Sequence, residues 1–313
     1  MKCRQRYFHG SEKKYPFFEG WYFKHQSKQG IIAFIPAFHV NPRGRWSASI
    51  QVITNQQAYY IEYPIQTCKI GCETLYIKIG KNIFSEKGIY IDIQEKDIQI
   101  RGNISYTPFT ALRFDIMGPF RYLPFMQCNH GVLSLTHQLK GILVMNGKQM
   151  QLSKGTGYIE KDWGYSFPKA YRWTQCNFIQ GGNNCIMLSI ATIPLWKIKF
   201  TGCICVIYYR GIEYRMATYQ GVQIIKSSPR EIIIQQRNLR LQVTKLEEGA
   251  QKLRAPQHGC MKRIIYENPA CRVRYQFWEN HRLLFNIVSD NAGFEQAGNC
   301  LISNKKYSNV LTK

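Results

Sequence analysis

The chain has 313 residues, of which 42 are Lys or Arg and 19 are Asp or Glu, so it carries a net charge of +23; 45% of it is hydrophobic and 14% aromatic. That content excludes a disordered tail, and the length suffices for about two domains of ~150 residues that need no disulfide or metal staple. No apolar run approaches the ~20 residues of a membrane-crossing helix; the longest, residues 31–38, contains Pro36. Met1-Lys2-Cys3-Arg4 has charge but no following apolar region, so no secretory signal is expected. The 11 cysteines form no Cys-x-x-Cys pair. An odd number of them without an export signal points to thiols in a reducing, cytoplasmic setting.

In chain order, residues 31–35, 50–53 and 75–79 have strand composition. Ile89, Ile91 and Ile93 alternate with polar residues, residues 94–97 form a polar turn, and Ile98 and Ile100 resume the alternation, which predicts a hairpin. Residues 142–145 precede Asn146-Gly147, the strongest short-range hairpin signal. Residues 185–193, 203–209, 239–243 and 272–278 continue the strand pattern, and residues 245–253 are the best helix candidate, weakened by Gly249. The run from Trp21 to the apolar stretch at Ile31 is echoed by the run from Trp173 to Ile186. The echo predicts a duplicated antiparallel unit, 1–155 and 156–313, packed directly without a linker. Many short strands with turn signals mean an all-β sandwich or barrel, and a barrel of ~8 strands can enclose one apolar ligand.

Three segments combine aromatic, charged and small residues: residues 17–24 (Phe-Phe-Glu-Gly-Trp-Tyr-Phe-Lys), residues 157–168, continuing through Tyr171 to Asn177, and Leu253-Arg254-Ala255-Pro256. Glu19-Gly20-Trp21-Tyr22-Phe23, then Glu160-Lys161-Asp162-Trp163-Gly164 with Phe167-Pro168, then Trp173-Thr174-Gln175-Cys176-Asn177, then Leu253 to Pro256 occur in an order that resembles the tocopherol cyclase family of lipocalin-like proteins. The resemblance implies an all-β fold of two packed antiparallel lipocalin-like β-barrels with little helix, an architecture shared with carotenoid hydratases. It also implies a reaction: an acid protonates an alkene of a prenylated phenol or quinol, or another isoprenoid, in an apolar cavity, and the phenolic oxygen captures the cation. No cofactor is implied.

A carboxyl group in apolar, aromatic company is held protonated because desolvation penalises its charged form. Glu19 and Glu160 are the acid candidates. Asp162 stands where the family pattern has Asn, which makes it an additional acid, a counter-ion or a mark of a different substrate. Trp21, Tyr22, Trp163, Tyr171 and Trp173 offer aromatic faces to a cation. His39, Gln175 and Asn177 offer hydrogen bonds to a phenol. Glu19 and Glu160 read equally as members of structural ion pairs. A non-catalytic carrier of an apolar lipid or quinone and an alkene hydratase are the alternative functions. Cys128, His130 and His137 have zinc-ligand character, but their spacing fits no closed site, so no metal is expected. The basic residues are dispersed and accompany no nucleic-acid motif, so the charge points to contact with an anionic membrane surface rather than to nucleic acid.

Overall fold

The computed structural model describes residues 8–10, 16–71, 73–123, 126–180, 182–195, 198–300 and 302–303. The chain divides into two compact units: one takes in residues up to 167 together with 251–265, the other 168–250 and the chain from 266 onward. Residues 156–167, placed by the sequence reading with the second half, lie in the first unit, because their strand pairs with two others there.

The first sheet contains β1 (Phe17–Ser27), β2 (Gly30–Val40), β3 (Trp46–Thr54), β4 (Ala58–Tyr63), β5 (Cys68–Ile70), β6 (Tyr76–Ile79), β7 (Asn82–Ser85), β8 (Gly88–Gln94), β9 (Gln99–Tyr106), β10 (Cys128–Met145), β11 (Lys148–Gln151) and β12 (Thr156–Gly164). Its order is β4-β3-β2-β1-β12-β10-β9-β8-β7-β6-β5, with β11 paired to β10. The second contains β13 (Tyr171–Ile179), β14 (Asn183–Leu195), β15 (Ile198–Tyr209), β16 (Ile212–Ala217), β17 (Gln223–Ser227), β18 (Glu231–Gln236), β19 (Leu239–Lys245), β20 (Gln251–Gln257), β21 (Cys260–Glu279), β22 (Arg282–Ala297) and β23 (Ile302–Ser303). Its order is β16-β15-β14-β13-β22-β21-β19-β18-β17-β23, with β20 paired to β21. The strand pairings among the described residues are antiparallel, for example β1 with β2 and β13 with β14, and no α-helix occurs among the described residues. This is the all-β, lipocalin-like class expected from the sequence.

The duplication is plain in the topology. In each sheet four consecutive strands are laid down as a meander, and a strand from the end of the unit, β12 or β22, then pairs with the first of them. Two-residue periodicity sorts the side chains. Trp21, Phe23, Phe34, Ile89, Ile91, Ile93 and Ile159 enter the first core; Cys176, Ile186, Leu188, Tyr275 and Phe294 enter the second.

The Ile89 hairpin forms as β8 and β9. Asn146 (φ 49°) and Gly147 (φ 76°) make the two-residue turn between β10 and β11. The helix candidate does not form: β19 ends at Lys245, residues 246–250 are irregular, and β20 starts at Gln251. Gly249 at φ 115° breaks any helical path, and the Leu246 amide donates to the Arg272 carbonyl instead. No helix among the described residues is long and apolar enough to cross a membrane.

Two glycines separate conformational from steric demand. A Cβ on Gly147 would meet nothing within 4 Å, whereas one on Gly141 (φ 149°) would lie 2.1 Å from the Asn103 carbonyl oxygen across the ladder. Urea denaturation should show Gly147→Ala costing ~1 kcal/mol and Gly141→Ala more than ~3 kcal/mol, because strain adds to a displaced strand.

Candidate active site

Strand β12 lies between β1 and β10, and its alternation sends neighbouring residues of Glu160-Lys161-Asp162 to opposite faces. The core side receives Lys161. Its Nζ lies 2.7 Å from Glu19 Oε1, and both side chains are fully buried. The His9 amide donates to Glu19 Oε2 at 2.7 Å, and His9 Nδ1 lies 2.9 Å from Oε1. The His9 ring stacks on Trp163 with centroids 4.3 Å apart, and the Lys161 ammonium sits over Trp163 at 4.9 Å and Trp21 at 5.7 Å. Glu19, Trp21 and Trp163 therefore belong to one buried ion-pair cluster in which the aromatic faces already hold a cation.

The reverse face carries a second cluster. Tyr158 Oη donates to Glu160 Oε2 at 2.6 Å. His130, opposite Asp162 in the β10–β12 register, places Nδ1 2.9 Å from Asp162 Oδ1. Its Nε2 lies 3.4 Å from Glu160 Oε2, close enough for charge attraction but without hydrogen-bond geometry. Burial alone would push His130 down; Asp162, then Glu160, outweigh it, and the imidazole is raised to about 9. The trio is thus an imidazolium between two carboxylates. On the β1 and β2 side, Gly20 pairs with Asp162 and Ala37 pairs with Gly20, so little side-chain bulk flanks the acid in that row.

Tyr22 and His39 lie on this reverse face, opposite Glu160 and Phe18 in the register. His39 is buried, its imidazole is lowered to about 3 by desolvation, and its Nε2 lies 3.0 Å from Ser49 Oγ. Neutral His39 is therefore a hydrogen-bonding group rather than a cation. In the second unit Tyr171, Trp173, Gln175 and Asn177 alternate along β13, away from the core residue Cys176. Gln175 Nε2 donates to Asn177 Oδ1 at 2.7 Å, and Tyr171 Oη donates to Glu295.

The candidates thus fall into three groups: Glu19, Trp21 and Trp163 in the first core; Tyr22, His39, Glu160 and Asp162 on the reverse face of the same sheet; and the β13 residues in the second unit. The zinc-type set separates. His137 Nδ1 pairs with Ser134 Oγ at 2.9 Å, and the His137 ring packs on Tyr106 at 4.4 Å, while His130 joins the carboxylates. Ligand atoms of His130, Glu160 and Asp162 lie within 4.8 Å of one another, a spacing open to a cation. The two ring nitrogens of His130 face different carboxylates, however, which is an arrangement of ion pairs rather than of lone pairs converging on one point.

Sequence reasoning missed Lys161, His9 and Tyr158 as partners and considered His130 only as a metal ligand. It also missed Glu267 and Glu295, which face each other across β21 and β22 beside Tyr171. No local signal marks these pairings, because register between distant strands decides them.

Removing one partner of a buried ion pair strands the other charge. Lys161→Met should therefore cost ~3–5 kcal/mol in chemical denaturation, and the Glu19→Gln/Lys161→Met double variant should recover part of that loss. For His130 the folded value exceeds the usual 6.5. Its contribution, roughly 3 kcal/mol, is complete below about pH 6.5 and is lost as the pH rises through about 9. The stability gap between wild type and His130→Gln should close across that window.

Comparison with known proteins supplies a family and a fold. Residues 95–298, about two thirds of the chain, match the tocopherol cyclase-like family; this stretch includes His130, Glu160 and Asp162 but not Glu19. A probable chloroplastic tocopherol cyclase of Oryza sativa subsp. japonica is 25% identical over 179 residues, 50% of this chain and 37% of the rice protein, so the chain spans little more than a third of that relative. The structure of kievitone hydratase from Nectria haematococca is similar in fold, with a TM-score of 0.53 and 10% identity over 95% of this chain and 96% of that one. CghA crystallised with Sch210972 gives a TM-score of 0.57 at 8% identity over 90% and 88%. By the extent of its family match, this chain belongs to the tocopherol cyclase-like family.

Proposed function

We propose that the protein is a cofactor-independent enzyme of cyclase or hydratase type that protonates an alkene in an apolar substrate, a prenylated phenol, quinol or other isoprenoid. The observation that carries this reading is the trio of buried His130 and Glu160 with half-buried Asp162 within the family-matched stretch. At rest Glu160 and Asp162 flank the His130 imidazolium as carboxylates; an apolar substrate that displaces water beside Glu160 penalises its charge, so Glu160 takes up a proton while the imidazolium stays paired with Asp162. The Glu160 proton passes to the less substituted alkene carbon, forming a C–H bond and leaving a tertiary cation. Negative charge develops on Glu160 as the proton leaves. The Tyr158 hydroxyl and the His130 imidazolium are already in position to stabilise it, which makes the acid strong when it is needed. The phenolic oxygen then attacks the cation and closes the ring, and the oxygen's proton returns to Glu160, so the product is an isomer of the substrate.

This reading assigns Glu19 to an ion pair rather than to proton transfer. A carbocation near Trp21 and Trp163 would also meet the Lys161 ammonium, so Tyr22 and Tyr158 are the better aromatic neighbours for it. Tyr171, Trp173, Gln175 and Asn177 lie in the second unit and are assigned no part in this step. Capture of the same cation by water would give a hydrate, the outcome that the name kievitone hydratase implies for that relative in fold.

Mass spectrometry of incubations with a prenylated hydroquinone tests the proposal. An unchanged product mass with altered retention means cyclisation, and the gain of one water means hydration. Saturable binding without turnover means a carrier and rejects the enzymatic reading. Glu160→Gln should lower kcat at least ~100-fold. Asp162→Asn, which restores the family residue, should stay within ~10-fold of wild type near neutral pH, and its loss of activity on raising the pH should set in at a lower pH than in wild type, because His130 loses the carboxylate that raises it most. Wild-type activity should fall as the pH rises through the titration of His130 at about 9.

A further inference from the structure

Strands β3 and β4, with the hairpin that joins β20 to β21, border a cleft of about 940 Å³ that lies wholly within the first unit. That volume is in the range of small-molecule sites. Its lining is lopsided in charge: Arg45, Arg254 and Lys262 face it, and Glu62 is the single carboxylate among the described lining residues. None of the three cations is in an ion pair among the described residues, and the negative charge of Glu62 acts on the Tyr60 hydroxyl. Trp46, Tyr60 and Tyr63 add aromatic surface, and Trp46 is 37% exposed.

The basic wall is held in place. The Gln51 side chain donates to the Arg254 carbonyl and accepts from the Arg254 amide, both at 2.9 Å. This presents the guanidinium 4.3 Å from the Tyr60 ring centroid, the stacked arrangement that Arg favours. The hairpin turns at His258 (φ 48°) and Gly259 (φ 67°). The turn lies so close to β2 that a Cβ on Gly259 would fall 1.9 Å from the Val40 carbonyl oxygen. Its backbone is tied by the Gly259 amide to the Tyr165 carbonyl at 2.9 Å and by the His258 amide to Ser166 Oγ at 2.6 Å. Lys262 and Arg254, on the two arms, therefore face the cleft from a fixed frame. Burial first of all pushes the Tyr60 phenol up to about 12, so it stays a neutral hydrogen-bond donor.

We propose that this cleft binds an anionic amphiphile, its phosphate or carboxylate head held by Arg45, Arg254 and Lys262 and its apolar portion lying on Trp46, Tyr60 and Tyr63. Unpaired guanidinium and ammonium groups supply charge-assisted hydrogen bonds to such a head, and the aromatic wall rewards a tail that a bare anion lacks. The head can belong to a free amphiphile or to a lipid in a bilayer. This site is separate from the alkene chemistry and uses none of the residues assigned to it.

Calorimetric titration of the full chain with monomeric octyl phosphate, octyl glucoside and inorganic phosphate tests the proposal, alongside flotation with vesicles of phosphatidylcholine and phosphatidic acid in equal parts. Octyl phosphate should bind with a stoichiometry of one and at least about tenfold more tightly than either octyl glucoside or inorganic phosphate. The Arg254→Gln/Lys262→Gln variant, exposed on both sites and so expected to fold, should weaken binding by a similar factor, and Trp46→Ala should weaken octyl phosphate but not inorganic phosphate. Binding of vesicles without binding of the monomer, abolished in the double variant, assigns the head to a membrane lipid. Equal affinity for octyl glucoside, an unchanged double variant, or no binding of either octyl phosphate or vesicles overturns the proposal.

Discussion

The two-residue period of β12, held between β1 and β10, is the constraint on which the rest depends. Because Glu160, Lys161 and Asp162 are consecutive, a strand must send the cation one way and the carboxylates the other. Lys161 finds Glu19 in the core, and the two acids find His130 on the reverse face. A helix over the same residues would spread the three charges around its surface. A register slip of one residue would exchange the faces and bury two carboxylates beside Glu19. The ion pair and the proposed acid cluster therefore share one structural cause, and the cost of burying Lys161 is also what fixes the aim of Glu160.

The two clusters differ in the kind of electrostatics they use. In the core, Glu19 collects a lysine ammonium, a backbone amide and a histidine nitrogen, and aromatic rings cover the whole group. Such an arrangement stabilises a fixed charge. On the reverse face a histidine divides its attraction between two acids, one of which also accepts a tyrosine hydroxyl. That arrangement suits a charge that comes and goes during a reaction, since donors stand ready for the state in which it is present.

Much of the fold was legible in the sequence. Ile89, Ile91 and Ile93 announced a strand by alternation, Asn146-Gly147 announced the turn between β10 and β11, and the echo between the Trp21 and Trp173 runs announced the repeated ladder. Gly249 was legible as a breaker, yet the polar run around it still looked helical, because the competing hydrogen bond from Leu246 to Arg272 is invisible locally. The candidate site was legible as residue types and not as pairs. Glu19 and Lys161 are separated by 142 positions, and His130 and Asp162 by 32. The alternation within Glu160-Lys161-Asp162 does state that Lys161 and Glu160 part company. What it cannot state is which strands flank β12, and so which partner waits on each side.

The late arrival of β12 and β22 beside the opening strand of each unit has a kinetic consequence. Glu19 pairs with Trp163, and Tyr171 with Ala297, so the first strand of each ladder has one side open until more than a hundred residues have followed it. Loop closure over such distances precedes any gain from the contacts, which places both units among slow-assembling, high-contact-order topologies. During synthesis the β1–β2 hairpin stands with a bare, strongly apolar edge, a template for pairing with other chains. Until β12 and β22 arrive, the opening edge of each ladder is open to pairing with other chains, whatever the stability of the finished unit.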